Sequence, residues 1–103
     1  MADVFLAAED CVHNGANIIS LAISCNEDLS GKKCYKKQWD NQLNDIYNHG
    51  VLIIGSAGNT GSISEDYPGM YKTVMSVSAV DEGNLWFNES TRNNQVEIAA
   101  PGV

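Results

Sequence analysis

Residues 50–61 read Gly50-Val51-Leu52-Ile53-Ile54-Gly55-Ser56-Ala57-Gly58-Asn59-Thr60-Gly61. The apolar part predicts a buried strand, and Asn59 follows the carboxyl end of that strand with Gly58 beside it. Open α/β sheets bind their ligands at the carboxyl ends of their strands, where an asparagine can direct its carboxamide at a ligand. An asparagine after glycine is also a common turn residue, so the residues alone leave two interpretations of Asn59 open.

The pattern that leads into this stretch occurs twice. Residues 2–14 and the segment around 39–47 both have helical apolar periodicity, and each is followed by a helix stop that ends in glycine, Gly15 and Gly50. The expected apolar stripes are Val4, Ala8, Cys11 and Val12 in the first helix, and Trp39, Leu43, Ile46 and Tyr47 in the second. The strands that follow are 17–24, whose nearly continuous apolar run indicates cover on both faces, and 51–54. Two consecutive helix–glycine–strand units predict a parallel sheet with right-handed crossovers.

The alternation of helix and strand patterns ends after residue 60. Residues 61–69 are rich in glycine, serine and acidic residues and contain Pro68, which predicts a loop. Residues 74–80 then predict a third strand, 81–84 a turn and 96–99 a short fourth strand.

The composition excludes several classes of protein. The chain has 103 residues, 44% hydrophobic and 18% charged, which is typical of a globular domain. Its formal net charge of -7 is the wrong sign for a nucleic-acid partner. It has no apolar run of about 18 residues, so we expect no membrane span. Residues 1–15 lack a basic start and contain Asp3, Glu9 and Asp10, which argues against a signal peptide.

The chain has three cysteines and two histidines. Cys25 and Cys34 bracket a short loop, 26–33, and a disulfide that closes about ten residues would stabilise the fold by about 2.7 kcal/mol and suit an oxidising compartment. Free thiols are the alternative. His13 and His49 fall in the last turns of the two helices, where they interact with the helix dipole. Since neither has ligands at metal-binding spacing, we predict no metal site.

Four segments, in order, resemble the subtilisin-like serine proteases (subtilases). They cover nearly the whole chain and comprise 15–24, 50–61, Tyr67-Pro68 with 74–81, and 95–103, which is similar to the family's "VEIAAPGV" stretch. The resemblance implies an α/β fold, a partial doubly wound parallel sheet of the subtilisin type with about four strands and two main helices. It also implies that residues 1–103 are an internal segment of a subtilase catalytic domain, and that this domain is incomplete here.

The resemblance assigns roles to particular residues. Asn59 matches the oxyanion-hole asparagine, which donates hydrogen bonds to the negative oxygen that forms during amide hydrolysis. Ile23 and Ser24 match the edge that pairs with an extended peptide or protein substrate. Ser56, Ala57 and Gly58 match the wall of the pocket for the residue before the scissile bond.

Two further features carry over from relatives. The peptide bond before Pro68 is cis in some of them, and the carbonyls of Gly69, Tyr71 and Val74 match a weak cation site. We expect no cofactor, and the structural calcium of the full-length family is not assigned to residues here. The family's habit of secretion implies an extracellular location.

The catalytic triad is missing from the pattern. In subtilases the Asp and His motifs precede the region matched by residue 1, and the "GTSMA" serine motif follows the region matched by Val103. We therefore predict that the isolated chain hydrolyses no peptide and needs the remainder of the catalytic domain as a partner.

Two alternatives stay open. One is a truncated or degenerate, non-catalytic subtilase relative that acts as a binding or interaction protein. The other is a nucleotide-binding α/β module, which the spacing of Gly55, Gly58 and Gly61, the lack of a P-loop lysine and the absence of a following helix pattern disfavour.

Overall fold

A computed structural model describes residues 2–103 of the chain. Its elements in order are α1 (Ala2–His13), β1 (Ile18–Leu21), β2 (Cys25–Asn26), α2 (Glu27–Ser30), α3 (Lys37–Asn48), β3 (Leu52–Ser56), β4 (Asp66–Tyr67), β5 (Val74–Val80) and β6 (Val96–Pro101). Within these residues no helix has both the length and the apolar character needed to cross a membrane.

The main sheet has four strands in the order β1-β3-β5-β6, and all three neighbouring pairs are parallel. Ile19 pairs with Ile53, and Ile53 pairs with Val74, so these three side chains lie on the same face. The predicted parallel α/β fold with about four strands and two main helices is confirmed.

Helices α1 and α3 cover this one face of the sheet. Phe5 stacks on Trp39 with ring centroids 5.0 Å apart, and Leu43 is fully buried. Leu43 and Ile46 of the predicted second stripe are buried, but Tyr47 is exposed. The predicted first stripe is partly wrong, because Cys11 is exposed and Phe5 takes the central place in the core.

The opposite face of the sheet is apolar and less covered. Ile18 on β1 and Ile98 on β6 are 62% and 55% exposed. The predicted double cover of the first strand is therefore wrong in this structure. The apolar run 17–24 also forms a strand over only four residues, those that pair with Leu52–Gly55 of β3.

A second, two-stranded sheet connects parts of the chain that the sequence pattern treated as loops. Cys25 pairs with Tyr67 and Asn26 with Asp66 in antiparallel register. The predicted loop 26–33 contains the short helix α2, and the predicted loop 61–69 contains β4. The Tyr67–Pro68 peptide bond is cis, as the resemblance implies.

Candidate functional site

The loop after β3 presents Asn59 at the carboxyl end of the sheet. Asn59 is exposed, and within residues 2–103 its carboxamide makes no hydrogen bond. The hydrogen bonds that hold the loop are made by the backbone groups of its neighbours Gly58 and Thr60. Gly58 has a φ of 107°, a conformation that glycine adopts readily and other residues rarely do. The local backbone therefore leaves both amide hydrogens of Asn59 free for a ligand.

Thr91 fixes the loop on both sides of Asn59. Its backbone N–H donates to the Gly58 carbonyl at 2.9 Å, and its hydroxyl oxygen accepts from the Thr60 N–H at 2.9 Å. Thr91 is fully buried, so these bonds are shielded from water. Thr91 lies 31 positions after Thr60 and belongs to no local motif, so its role could not be predicted from the sequence.

A buried carboxylate lies behind the loop. Asp66 is 1% exposed and accepts hydrogen bonds from Ser24 Oγ at 3.3 Å, Asn26 Nδ2 at 3.3 Å and Thr91 Oγ1 at 3.2 Å. A Cβ atom added to Gly58 would overlap the Asp66 carboxyl group, which shows how closely the loop approaches it. Asp66 also went unnoticed in the sequence, where it stands in a segment predicted to be a loop.

Asn59 lies between two open clefts. The first, of about 310 Å³, is lined by residues from the ends of the four sheet strands and from the loop; they include Ser20, Leu21, Ala22, Ser56, Gly58, Asn59, Val77 and Ala100. The second, of about 350 Å³, is lined by Ser24, Cys25, Asn26, Leu29, Ser30, Asn59, Thr60 and Asp66. A ligand in either cleft could reach the carboxamide.

The structure brings together most of the residues that the resemblance singled out. Ser56 and Gly58 line the first cleft with Asn59, and Ser24 lines the second. Ala57 is buried, donates its N–H to the Val77 carbonyl and lines neither cleft. Ile23 is half-buried and also lines neither.

Residues 22–24 belong to no strand in the described chain. They connect β1 with β2, and the residue that follows them, Cys25, is joined to Cys34 by a disulfide. The disulfide ties this edge to the segment before α3. Residues 22–24 therefore form an edge, close to Asn59, that is not paired with another strand.

The carbonyls of Gly69, Tyr71 and Val74 match a weak cation site in relatives, but in this structure a side-chain amide faces two of them. Gln95 Nε2 donates to the Tyr71 and Val74 carbonyls at 3.3 Å each. A side-chain N–H directed at these oxygens competes with a cation for the same lone pairs, so this arrangement does not fit a cation. Among residues 2–103 no group of three or more His, Cys, Asp or Glu side chains is placed to hold a metal ion.

The two histidines share a different cleft. His13 and His49 line a space of about 330 Å³ between the ends of α1 and α3, together with Glu9 and Asp45. His49 Nδ1 lies 2.6 Å from the carbonyl oxygen of Asp45, one turn earlier in α3. The two repeats thus place both histidines at one cleft, which Asn59 does not line.

Next to the buried carboxylate, Tyr67 packs against Tyr35 and Tyr71. Burial, with a contribution from the Glu65 carboxylate, raises the pKa of Tyr67 to about 12. The phenol is therefore neutral over the whole physiological range.

A parallel sheet, an exposed amide at the carboxyl ends of its strands and an adjacent unpaired edge are the features of an α/β protein whose candidate ligand site lies at the end of its sheet. The chain matches the Subtilase family across residues 1–103. It therefore belongs to the subtilase family of serine proteases.

Individual relatives agree with the family assignment. The chain is 33% identical over 103 residues to a thermostable alkaline protease of Halalkalibacterium halodurans and 31% identical over 103 residues to a thermophilic serine proteinase of Bacillus sp. (strain AK1). All of this chain is covered in both comparisons, but only 27% and 23% of the two relatives. The chain thus spans about a quarter of their length.

Solved structures have the same fold. The psychrophilic subtilisin-like protease Apa1 from Pseudoalteromonas sp. AS-11 matches with a TM-score of 0.86 and 37% identity, over 95% of this chain and 21% of that one. The prenylagaramide maturation protease PagA matches with a TM-score of 0.86 and 28% identity, over 98% of this chain and 36% of that one.

Proposed function

We propose that this chain is an internal segment of a subtilisin-like serine endopeptidase and that Asn59 is its oxyanion-hole donor. The single observation that carries the proposal is the exposed Asn59 carboxamide, which has no hydrogen-bond partner within residues 2–103 although buried Thr91 fixes the backbone on both sides of it. A fixed, uncharged donor of this kind stabilises a developing oxyanion without reorganising during the reaction.

The edge beside this donor suits an extended peptide. Residues 22–24 have no strand partner in the described chain, so their backbone is available to pair with a substrate strand. Ile23 and Ser24 provide this edge, and Ser56 and Gly58 line the neighbouring cleft, with buried Ala57 between them in the chain. The substrate is accordingly a peptide or a protein, bound with its scissile carbonyl near Asn59.

The nucleophile, base and orienting aspartate come from outside this chain. None of the serines that line the two clefts beside Asn59 lines the separate cleft of the two histidines. Two of them are held in other hydrogen bonds, since Ser56 Oγ accepts from the Gly58 N–H and Ser24 Oγ donates to Asp66. A serine without a base to remove its proton is a weak nucleophile. The isolated segment is therefore inactive, and its triad is supplied by the remainder of the catalytic domain.

The second face of the sheet supports this division. Parallel sheets are normally covered on both faces, yet α1 and α3 both pack on the side of Ile53. Exposed Ile18 and Ile98 mark the face that the remainder of the domain would cover.

An extracellular location is consistent with the Cys25–Cys34 disulfide. One relative is named minor extracellular protease Epr, from Bacillus subtilis.

The test is substitution of Asn59 in the full-length protein. In subtilisin itself, loss of one oxyanion donor lowers kcat by about 100- to 1,000-fold, and we expect a fall of that order for Asn59→Ala with little change in KM. Asn44→Ala, at an exposed position on α3, is the matched control and should leave both constants unchanged. A kcat for Asn59→Ala within threefold of the wild type would remove Asn59 from the catalytic site.

A second measurement addresses the segment alone. Residues 1–103, expressed separately, should not react with a fluorophosphonate probe, whereas the full-length protein should be labelled at one serine. Stoichiometric labelling of the separate segment would place the nucleophile within it and contradict the proposed division.

A further inference from the structure

Asp66 is a buried carboxylate that the proposed reaction does not use. It is 1% exposed, yet it lines the cleft of about 350 Å³ that Asn59 and Ser24 also line. Its carboxyl group is therefore part of the wall that a substrate side chain in this cleft would meet.

The carboxyl group lies between the two sides of the proposed substrate site. On one side Ser24 Oγ donates to its Oδ1 at 3.3 Å. On the other side the Gly58 backbone approaches so closely that a Cβ there would overlap the carboxyl group and lie 2.8 Å from Thr91 Oγ1. A substrate side chain that enters the cleft between Ser24 and Asn59 therefore faces Asp66.

The charge of Asp66 is not neutralised by the protein. Its three hydrogen-bond donors are the neutral groups of Ser24, Asn26 and Thr91. Within residues 2–103 the sole ion pair joins Lys37 and Asp40, so no side-chain cation accompanies Asp66. A carboxylate has about four acceptor positions, and three donors leave one for a further partner. A buried, unpaired charge is unfavourable, and a cationic guest removes that penalty.

We propose that Asp66 is the specificity-determining residue of this site and selects a lysine or arginine side chain immediately before the scissile bond. The inference rests on the proposed function for the location of the substrate, and it adds the chemical class of that substrate. The net charge of -7 on these 103 residues acts in the same direction, because it attracts basic peptides.

A purely structural role for Asp66 predicts a different outcome. Asn26 and Thr91 donate to Oδ2 of Asp66 and Ser24 donates to Oδ1. The amide oxygen of an asparagine can keep the first two bonds, and the Ser24 hydroxyl can rotate to accept from the amide nitrogen. Asp66→Asn thus preserves the shape of the site, removes the charge and reverses one hydrogen bond. If the carboxylate merely ties Ser24 to Thr91, this variant changes stability but not the preference between substrates.

The experiment compares peptides that differ in one residue, with the full-length protein. Substrates carry lysine, arginine, norleucine or glutamate before the scissile bond, norleucine being the neutral match for lysine. We expect kcat/KM for lysine to exceed that for norleucine by about 100-fold, and Asp66→Asn to reduce the ratio to within a few fold. Asp45→Asn, at an exposed position on α3, removes the same charge elsewhere and should keep the ratio.

A binding measurement separates this inference from the proposed function. Product-like peptides that end in lysine or norleucine are titrated into the full-length protein by calorimetry, in wild type and Asp66→Asn. Hydrolysis or binding without a lysine preference in the wild type overturns the inference, even if Asp66→Asn does not fold, and leaves the proposed function intact. Lysine-selective binding that Asp66→Asn abolishes, without any hydrolysis, supports the inference and contradicts the proposed function. Absence of both hydrolysis and binding contradicts both.

Discussion

Replacing Thr91 with valine tests whether a buried hydroxyl holds the Asn59 loop in place. The two side chains have nearly the same shape, so the change removes hydrogen bonds without opening a cavity. Thr60 N–H loses an acceptor at 2.9 Å, Thr60 Oγ1 loses a partner at 2.8 Å, and the buried Asp66 carboxylate loses a donor at 3.2 Å.

The magnitude follows from these three bonds. An unsatisfied N–H costs about 1–3 kcal/mol and a hydrogen bond to a charged group about 1.5–3 kcal/mol, but Thr60 is only half-buried and can recover part of its bonding from water. We therefore expect Thr91→Val to lower the free energy of unfolding of the full-length protein by about 2–4 kcal/mol. Because the loop loses its anchor, kcat should also fall more than KM changes.

Urea unfolding followed by tryptophan fluorescence measures the free energy of unfolding, and steady-state kinetics measure kcat and KM. The chain offers a matched control in Thr73, whose buried hydroxyl has no hydrogen-bond partner within residues 2–103. Thr73→Val should leave stability unchanged or raise it slightly, since it removes an unsatisfied polar group. If the two valine variants differ by less than about 0.5 kcal/mol, the hydrogen bonds of Thr91 do not hold the loop.

Two further predictions concern the same region. The raised pKa of Tyr67, about 12, means that its stabilising contribution is complete below pH 10 and is lost as the pH rises through 12. In the wild type the urea concentration at the unfolding midpoint should therefore fall between pH 10 and 12, and in Tyr67→Phe it should fall less. Tyr47 is exposed, so Tyr47→Phe is the control, and an equal effect of that variant would refute this explanation. Gly58→Ala combines a φ of 107° with overlap on Asp66, whereas Gly15→Ala has a φ of 89° and open space around its new Cβ. Thermal melts should show a larger loss of stability for Gly58→Ala, by about 1–3 kcal/mol from the overlap alone, and equal losses would mean that the overlap relaxes freely.

The main sheet was predictable because its signals are local. Helical periodicity, a terminal glycine and an apolar run specify each helix–strand unit, and parallel order follows from their repetition. The pairing of β2 with β4 was not predictable in this way. It joins two-residue strands such as Cys25–Asn26 and Asp66–Tyr67 that are about forty positions apart, and neither has a periodic pattern of its own.

The same distinction applies to the candidate site. Asn59 stood out because strand, glycine and amide are adjacent in the sequence. Thr91 and Asp66 act through contacts between residues 25 or more positions apart, and their identities carry no signal until the chain is folded. The exposure of Ile18 was missed because an apolar run indicates a preference for burial but not which neighbours provide it.

The attachment of the loop to Thr91 makes its geometry depend on a distant segment. That segment is held in turn by Ser90, whose hydroxyl accepts from the Ala79 N–H at 3.0 Å. Detachment of 90–91 on warming would free Gly58 and Thr60 while the core around Leu43 stayed packed. The arrangement around Asn59 would then be lost below the global melting temperature, so the contacts of residues 90–91 are the place to reinforce the fold, before its hydrophobic interior.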